Sequence, residues 1–256
     1  MPTIDLNCDV GESFGAFTIG ADADMMASIT SANIACGFHA GDPAVMRRTV
    51  RLAHAAGVGV GAHPGLADLG GFGRREMRVS PQEVEDMVLY QVGALAAIAS
   101  SEGATLRHVK AHGALYNMAA RDRGLAEALA RAVRVFDPSL VLFGLAGSEL
   151  LRAAAAAGLS AASEGFADRS YEPDGSLTPR STSGAVVEDV ETVVRRGVRM
   201  AVERRVIATD GSEIDLEIDT ICLHGDTPGS LELARALRTG LEQVGVSVRR
   251  FSGPAR

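Results

Sequence analysis

The sequence predicts an α/β protein that folds as one domain, a closed or nearly closed barrel of parallel strands surrounded by helices. Short apolar or β-branched segments alternate with longer amphipathic segments along the whole chain, which is the pattern of a parallel sheet covered by helices. The 256 residues match the roughly 250 residues that one (β/α) barrel needs. No linker, repeat or change in composition divides the sequence, so the domain is expected to span residues 1–256. A doubly wound open sheet is the structural alternative.

Strands are expected in eight short segments that are rich in apolar or β-branched residues. In chain order they are Thr3–Asp9, Ala32–His39, Val58–His63, His108–His112, Leu140–Leu145, Ser160–Glu164, Ile218–His224 and the weaker Val246–Phe251. The alternation of strands and helices is interrupted at Val206–Glu217, where residues 209–212 have the composition of a hairpin turn. A hairpin insertion is therefore expected near residues 206–217.

Helices are expected between these strands, because the intervening segments are longer and amphipathic. They cover Pro43–Ala56, Pro81–Ser101, Leu125–Phe136, Ser148–Ala157, Val186–Glu203 and Pro228–Val244. The start of the second helix has the clearest local signal. Ser80 and Glu83 form a capping box there, with Pro81 at the first helical position.

The composition argues against several classes of partner. The formal net charge is −7 and the pI is near 5.4, whereas nucleic acid or an anionic membrane calls for a basic patch. Met1–Asp9 lacks the basic and apolar regions of a signal peptide, and charged residues or glycine interrupt every candidate membrane span. The three widely spaced cysteines (Cys8, Cys36 and Cys222) are expected to be reduced thiols. These features predict a cytoplasmic protein.

Polar residues occupy one face of the first predicted strand. Ile4, Leu6, Cys8 and Val10 lie on one face, and Thr3, Asp5, Asn7 and Asp9 lie on the other. An antiparallel sheet with one solvated face would explain such an alternation, but both faces of a parallel sheet are normally covered. Buried carboxylates are costly unless they line a polar cavity, and the mouth of a barrel is such a cavity.

Four of the six histidines lie at the predicted carboxyl-terminal ends of strands, each close to glycine. They are His39, His63, His112 and His224. Barrel enzymes hold their catalytic groups at this rim. Any one of these histidines could be a hydrogen-bonded core residue, but four at equivalent positions favour a site. His54, inside a helix, and His108, at a strand start, are expected to be structural.

Three cations are candidates for binding an anionic substrate. Lys110 is the one lysine in a chain with 24 arginines, which indicates either a biased composition or a need for a compact ammonium. Arg74 and Arg75 follow a glycine-rich loop that could close over an anion. A solvated loop with surface arginines explains the same pattern.

Several well-known catalytic motifs are absent from the sequence. It contains no GxxxxGK[ST] P-loop, no GxSxG elbow and no HExxH motif. The glycine run at 57, 59 and 61 lies in a predicted strand and does not open a helix, so it is a poor dinucleotide fingerprint. What remains is a rim of carboxylates and histidines, which suits water activation by general acid–base chemistry, with or without a metal.

Several long motifs resemble those of the LamB/YcsF family, over nearly the whole chain from Asp5 to about Arg238. They are Asp5–Glu12, Ser31–Pro43, Gly61–Gly65, Gly71–Arg75, His112–Asn117, Phe166–Arg169 and His224–Asp226. Two small departures are Ala111, where the family has proline, and Gly165, where a β-branched residue is usual. Ala111 leaves the flanking polar residues in place.

The resemblance implies a distorted, TIM-barrel-like (β/α)7 barrel similar to glycoside hydrolases and polysaccharide deacetylases. It also implies ATP-dependent hydrolytic opening of the lactam of 5-oxo-L-proline (pyroglutamate) to L-glutamate. The partners it implies are two allophanate-hydrolase-like proteins, the 5-oxoprolinase subunits B and C. Because the sequence has no P-loop, ATP is expected to be handled largely by those partners.

Lactam hydrolysis needs a base for water, a proton for the leaving nitrogen and stabilisation of the oxyanion. Asp9 is the expected base, and His63 or His112 is the expected proton donor. The residues expected to bind substrate are Asn7, Glu12, His39, Arg74, Arg75 and Lys110, with Asn7 and nearby backbone amides as oxyanion donors. Two other functions stay open. One is a metal-dependent, deacetylase-like amidohydrolase with a divalent ion on Asp9, His39 and His63, and the other is a non-catalytic protein that binds substrate or regulates its partners.

Overall fold

Seven parallel strands form a closed barrel in the computed structural model, which describes residues 2–225 and 229–253. The described residues contain ten strands, seven of them (β1 to β6 and β9) in the barrel: β1 (Thr3–Val10), β2 (Ser31–Ala35), β3 (Gly59–His63), β4 (Leu106–Lys110), β5 (Val141–Leu145), β6 (Ser160–Phe166), β7 (Arg205–Ile207), β8 (Glu213–Asp215), β9 (Thr220–His224) and β10 (Ser247–Val248). Strands β1 to β6 pair in chain order, and β9 closes the barrel by pairing with both β6 and β1. The predicted barrel is confirmed, and this closure excludes the open, doubly wound sheet.

Helices follow most of the barrel strands and cover the outside. They are α1 (Asp22–Met25), α2 (Pro43–Ala55), α3 (Pro81–Ser101), α4 (Gly113–Arg121), α5 (Arg123–Phe136), α6 (Glu149–Ala156), α7 (Val190–Glu203) and α8 (Ser230–Gln243). The capping box at Ser80 and Glu83 is present. Strands β7 and β8 form a separate antiparallel pair between α7 and β9.

Some boundaries differ from the sequence prediction, and two of the differences move site residues. Strand β2 ends at Ala35, so His39 lies in the following loop. Strand β4 ends at Lys110, and His112 is the N-cap of α4, a helix that the sequence pattern did not predict. Its start lacks a side-chain cap and its first residue is glycine, which leaves little local signal. The predicted start of α8 at Pro228 lies outside the described residues.

Two other differences between prediction and structure concern where α7 begins and how long the last strand is. Helix α7 begins at Val190 instead of Val186, because the Asp189 side chain accepts from Thr192 N and caps it there. The last predicted strand is reduced to β10, which pairs with the start of β1. None of the helices in the described residues is long and apolar enough to cross a membrane.

The barrel interior is in large part polar, with Asp5, Asn7 and Asp9 buried on one face of β1, while Val141, Phe143 and Ala162 form a small apolar cluster of their own. The main apolar core lies between the strands and the helices. Inside the barrel, the ring of His108 stacks on Phe143 with 4.3 Å between centroids. A side chain at position 61 would overlap the His108 ring, so Gly61 makes room for it. The register between β3 and β4 shifts between Val60 and Gly61, which is a local distortion of the barrel.

Candidate active site at the carboxyl-terminal end of the barrel

A cavity of about 660 Å³ opens where the barrel strands end. Its wall includes Asp9, His63, Lys110 and Phe166, from the ends of β1, β3, β4 and β6, together with His112. This is the rim at which barrel enzymes hold their reacting groups. A shallower groove between α7 and α8 lies on the outside of the barrel and contains none of these residues.

Lys110 is the centre of a buried polar network that crosses the barrel. Its Nζ lies 3.0 Å from Asp9 Oδ1 and 3.0 Å from Glu164 Oε1, and it also donates to Asn7 Oδ1 and Cys222 Sγ at 3.2 and 2.8 Å. Burial alone would lower the pKa of Lys110, but the Asp9 and Glu164 carboxylates raise it well above its ordinary value. The amine is therefore protonated at neutral pH. A compact ammonium suits this set of acceptors, whereas a planar guanidinium would not.

The carboxylate of Asp9 is held on both of its oxygens. Oδ1 accepts from Lys110 and, at 2.8 Å, from Asn33 Nδ2, while Oδ2 lies 3.2 Å from His63 Nε2. The Asn33 amide is itself oriented, because its oxygen lies 2.8 Å from His108 Nε2. Asp9 therefore has a fixed orientation at the edge of the cavity.

Glu164 occupies the deeper side of the same network. Its Oε1 also accepts from Asn7 Nδ2 at 2.8 Å, and its Oε2 accepts from the Tyr116 hydroxyl at 2.6 Å. Burial and the Glu164 carboxylate raise the pKa of Tyr116 well above its ordinary value, so the phenol keeps its proton and donates. Asn7 Nδ2 donates to Thr220 Oγ1 as well, at 2.8 Å. Both amide hydrogens of Asn7 are therefore used inside the barrel.

His63 and His112 each use one ring nitrogen for a hydrogen bond to a backbone carbonyl oxygen and turn the other nitrogen toward the neighbouring ring. The nitrogens bonded to the carbonyl oxygens are called the outer nitrogens. His63 Nδ1 lies 2.7 Å from the Lys110 carbonyl oxygen, and His112 Nε2 lies 2.8 Å from the Phe72 carbonyl oxygen. A carbonyl oxygen can only accept, so each of these nitrogens carries a hydrogen. The other nitrogens, His63 Nε2 and His112 Nδ1, are 3.0 Å apart.

Glu12 and His39 lie against this histidine pair. The ring of His39 stacks on His112 with 3.7 Å between centroids, and its Nε2 is 3.4 Å from Glu12 Oε1. Burial and the neighbouring imidazoles hold the pKa values of His39 and His112 well below the ordinary value, so both rings are neutral. One ligand atom from each of Glu12, His39, His63 and His112 lies within 4.8 Å of the others, a buried cluster that could bind a metal ion.

The loop between β3 and α3 holds the histidines in place. Gln91 on α3 clamps Gly65, donating to its carbonyl oxygen and accepting from its amide at 2.9 Å each. Gly73 has a positive φ, and a side chain there would lie 2.7 Å from His39 Cβ and 2.8 Å from His112 Cδ2. Glycine at 73 therefore lets the loop cover the two rings closely.

The structure brings most of the predicted site residues to this end of the barrel. Asp9, His63, Arg74, Lys110 and His112 line the cavity. Glu12 and His39 are buried beside them, and Asn7 is below them. The side chain of His224 lies outside the described part of the structure.

Arg75 is the predicted residue that the structure does not bring to the cavity. Its guanidinium pairs with Asp68 within the same loop, and its side chain is 70% exposed. Arg74 lies over the Phe72 ring, 4.9 Å from the centroid, and lines the cavity. The sequence could not separate these adjacent arginines, because both follow the same glycine-rich segment.

Sequence reasoning missed several polar residues of the site, among them Asn33, Tyr116, Glu164 and Arg169. A signal existed for Glu164, since a carboxylate at the end of a predicted strand is costly unless it is paired. Tyr116 was hidden because α4 was not predicted. Arg169 lines the cavity, donates to the carbonyl oxygens of Ala185 and Thr178, and has its pKa lowered to about 10 by burial and by Arg180.

Comparison with known proteins identifies the family. The model of the LamB/YcsF family matches residues 4–256. This chain belongs to the LamB/YcsF family. A family member from Tolumonas auensis, named as the A subunit of 5-oxoprolinase, is 57% identical over 249 residues, which cover 97% of this chain and 99% of that protein.

Solved structures agree with this assignment. The structure of a lactam utilization protein from Thermus thermophilus is 51% identical, with a TM-score of 0.92, and covers 97% of this chain and 100% of that one. A β-mannanase from Bacteroides ovatus, a glycoside hydrolase, has a TM-score of 0.51 at 8% identity, covering 96% of this chain and 90% of that one. The second likeness concerns the barrel fold alone, and it confirms the predicted similarity to glycoside hydrolases.

Proposed function

We propose that this LamB/YcsF chain hydrolyses the lactam of 5-oxo-L-proline to L-glutamate, as the A component of an ATP-dependent 5-oxoprolinase. The partners would be the allophanate-hydrolase-like subunits B and C. The observation that carries the proposal is the buried Lys110–Asp9 pair at the cavity wall, flanked by His63. The names of similar proteins, one a 5-oxoprolinase component and the other a lactam utilization protein, support the substrate class.

Asp9 is the proposed base. Its Oδ1 is engaged by Lys110 and Asn33, and the ammonium favours the ionised carboxylate. Asp9 takes a proton from water, and the water oxygen bonds to the lactam carbonyl carbon. The carbon–nitrogen bond then breaks, and the nitrogen takes up a proton to become the amine of glutamate. A positioned base of this kind contributes about 10² or more to the rate.

His63 is the proposed carrier of the proton to the leaving nitrogen. Its Nδ1 hydrogen is committed to the Lys110 carbonyl oxygen, so Nε2 is the nitrogen that exchanges protons. That nitrogen lies 3.2 Å from Asp9 Oδ2, within reach of the proton that Asp9 receives. His112 is a poorer donor, because it is held neutral and its Nε2 hydrogen is directed to Phe72.

Arg74 is the proposed anchor for the substrate carboxylate. It is exposed, lies on the cavity wall and comes from the loop that covers the histidines. Asn7 is assigned a positioning role in place of oxyanion binding, because both its amide hydrogens are donated to Glu164 and Thr220. The hydrogens of the Lys110 ammonium are likewise committed, to Asp9, Glu164, Asn7 and Cys222, so Lys110 would stabilise the developing oxyanion through its positive charge and not through a hydrogen bond.

ATP is assigned largely to the partners, because this sequence lacks a P-loop. This chain would then act on a lactam that the partners have activated. The cysteines Cys8, Cys36 and Cys222 are free and buried, which supports a reducing, cytoplasmic compartment.

Reconstitution tests the proposal. Purified subunits B and C are assayed for ATP-dependent glutamate formation from 5-oxoproline, with and without this chain. We expect glutamate only in the complete mixture. Full glutamate formation without this chain would overturn the proposal, and release of glutamate by this chain alone without ATP would instead favour the amidohydrolase alternative.

A further inference from the structure

We propose that Glu12, His39, His63 and His112 hold one divalent transition-metal ion of the zinc type. The inference concerns binding by this chain alone and does not rest on the proposed substrate. An ion on His63 Nε2 would take the place of the proton that this nitrogen carries in the proposed hydrolysis, so metal binding and that proton transfer are alternative states of the site. It differs from the ligand set considered from the sequence (Asp9, His39 and His63), because Glu12 and His112 join the histidines. Asp9 is held by Lys110 and Asn33 through Oδ1, and its Oδ2 lies 3.2 Å from His63 Nε2 beside the cluster.

The hydrogen bonds of His63 and His112 create a need for a cation. Their outer nitrogens carry the ring hydrogens, which are donated to the carbonyl oxygens of Lys110 and Phe72. In neutral rings, His63 Nε2 and His112 Nδ1 then have lone pairs, and these atoms are 3.0 Å apart. Two facing lone pairs at this distance repel each other unless a proton or a metal ion joins them.

The surroundings favour a metal ion over a proton. A proton would join two of these atoms, but four ligand atoms converge here. The His39 ring is fully buried, and within the described residues neither of its nitrogens has a hydrogen-bond partner. Such a group is costly to bury unless something binds it.

Three of the six spacings among these ligand atoms match the size of a metal site. Zinc lies about 2.0–2.1 Å from its nitrogen and oxygen ligands, which places neighbouring ligand atoms of a tetrahedron about 3.3 Å apart. The spacing is 3.0 Å from His63 Nε2 to His112 Nδ1, and 3.6 Å from His112 Nδ1 to Glu12 Oε1. Glu12 Oε1 lies 3.4 Å from His39 Nε2. The carbonyl acceptors on the outer nitrogens are the partners that typically orient metal-binding histidines.

The four ligands are not equivalent. The rings of His39 and His112 are parallel and stacked, so one ion cannot lie in the planes of both without a rotation of one ring. His63 is perpendicular to both rings, which allows it to share an ion with either. We therefore assign Glu12, His63 and His112 as the tight ligands, and His39 as a weaker one that turns.

Metal titration tests the site. The full chain, without a polyhistidine tag, is stripped with a chelator and dialysed against Zn²⁺ in the presence of a competing chelator of known affinity. We expect about one zinc per chain by mass spectrometry, and the visible absorption of four-coordinate Co²⁺ when cobalt replaces zinc. His63→Ala and His112→Ala should each weaken binding by about tenfold or more, and His39→Ala by less. His54→Ala, an exposed histidine on α2, is the matched control and should bind normally.

Each result of the metal titration either supports the site or overturns it. Less than about 0.1 zinc per chain in the wild type, or zinc binding that is unchanged in folded His63→Ala and His112→Ala, would overturn the site. If an alanine variant fails to fold by circular dichroism, Glu12→Gln decides, because zinc should raise the melting temperature of the wild type and not of this variant. No substrate, ATP or partner is present, so a failure here leaves the proposed hydrolysis untouched.

Discussion

Asp5 and Asp9 lie on the same face of β1, four residues apart, and both are buried. Asp5 is surrounded by hydroxyl groups. Thr30 and Ser31 donate to its Oδ1 at 2.6 and 2.7 Å, and Thr220 donates to its Oδ2 at 2.6 Å. Asp9 instead contacts an ammonium group, an amide and an imidazole, and it lines the cavity.

The difference between these carboxylates comes from their partners on other strands. Neutral hydroxyls satisfy Asp5 without balancing its charge, and burial raises its pKa despite these hydrogen bonds. Lys110 balances the charge of Asp9 and holds it where water and substrate can enter. The same residue type on the same strand therefore supports packing at one end of the barrel and, in our proposal, chemistry at the other.

The largest expected effect comes from removing the charge partner of Asp9. Lys110→Met leaves Asp9 and Glu164 buried without the ammonium, which should lower the free energy of unfolding by about 3–5 kcal/mol. Turnover of the reconstituted complex should fall by about 10² or more. Chemical denaturation and glutamate formation measure the two effects.

A surface cation provides the control for Lys110. Arg131 pairs with Glu85 at 3.0 Å on the protein surface, and Arg131→Met should cost less than about 1 kcal/mol. Equal losses of stability in the two variants would mean that the buried network contributes no more than a surface ion pair.

A smaller effect should distinguish the adjacent arginines. Arg74→Ala should raise KM for 5-oxoproline by about ten- to a hundredfold, because one charged hydrogen bond to the substrate carboxylate is lost. Arg75→Ala should change KM by less than about threefold, since Arg75 pairs with Asp68 away from the cavity. Steady-state kinetics of the complex measure both, and a larger effect from Arg75 would reverse the assignment.

The smallest effect on turnover is expected for Asp5→Asn, with a change of less than about threefold. Its effect should appear in the pH dependence of stability. Folded Asp5 binds its proton more tightly than the unfolded chain does, so it stabilises the fold at low pH. That contribution is lost as the pH rises from about 3.9 through the raised pKa. The wild type should therefore lose stability relative to Asp5→Asn over this range. Chemical denaturation at a series of pH values measures this, and a difference in the free energy of unfolding that does not change with pH would contradict the prediction.

The sequence was sufficient to predict the barrel because its signals are local. Alternating polarity along β1 marked Asp5, Asn7 and Asp9 as facing inward, and strand ends marked three of the histidines that line or adjoin the cavity. Pairing across the barrel was not predictable. The contact of Asn7 with Glu164 joins residues 157 positions apart, and no local pattern encodes such a partner.

The same lack of long-range information in the sequence affects two further assignments: which residues could bind a metal ion, and which arginine binds the substrate carboxylate. Glu12 and His39 lie far apart in sequence, and their contact depends on where the loops after β1 and β2 turn. Arg74 and Arg75 differ only in the direction of neighbouring side chains, which the backbone of the loop decides. Residue type and spacing carry no information about that direction.

The most direct test of the account compares Asp9→Asn with Asp5→Asn in the complex with subunits B and C. Asp9→Asn keeps Lys110 paired with Glu164, so the fold should survive and the melting temperature should change little. We predict that ATP-dependent glutamate formation falls by about 10² or more for Asp9→Asn and stays near the wild-type rate for Asp5→Asn. Glutamate formation near the wild-type rate by a folded Asp9→Asn complex would contradict the assignment of Asp9 as the base.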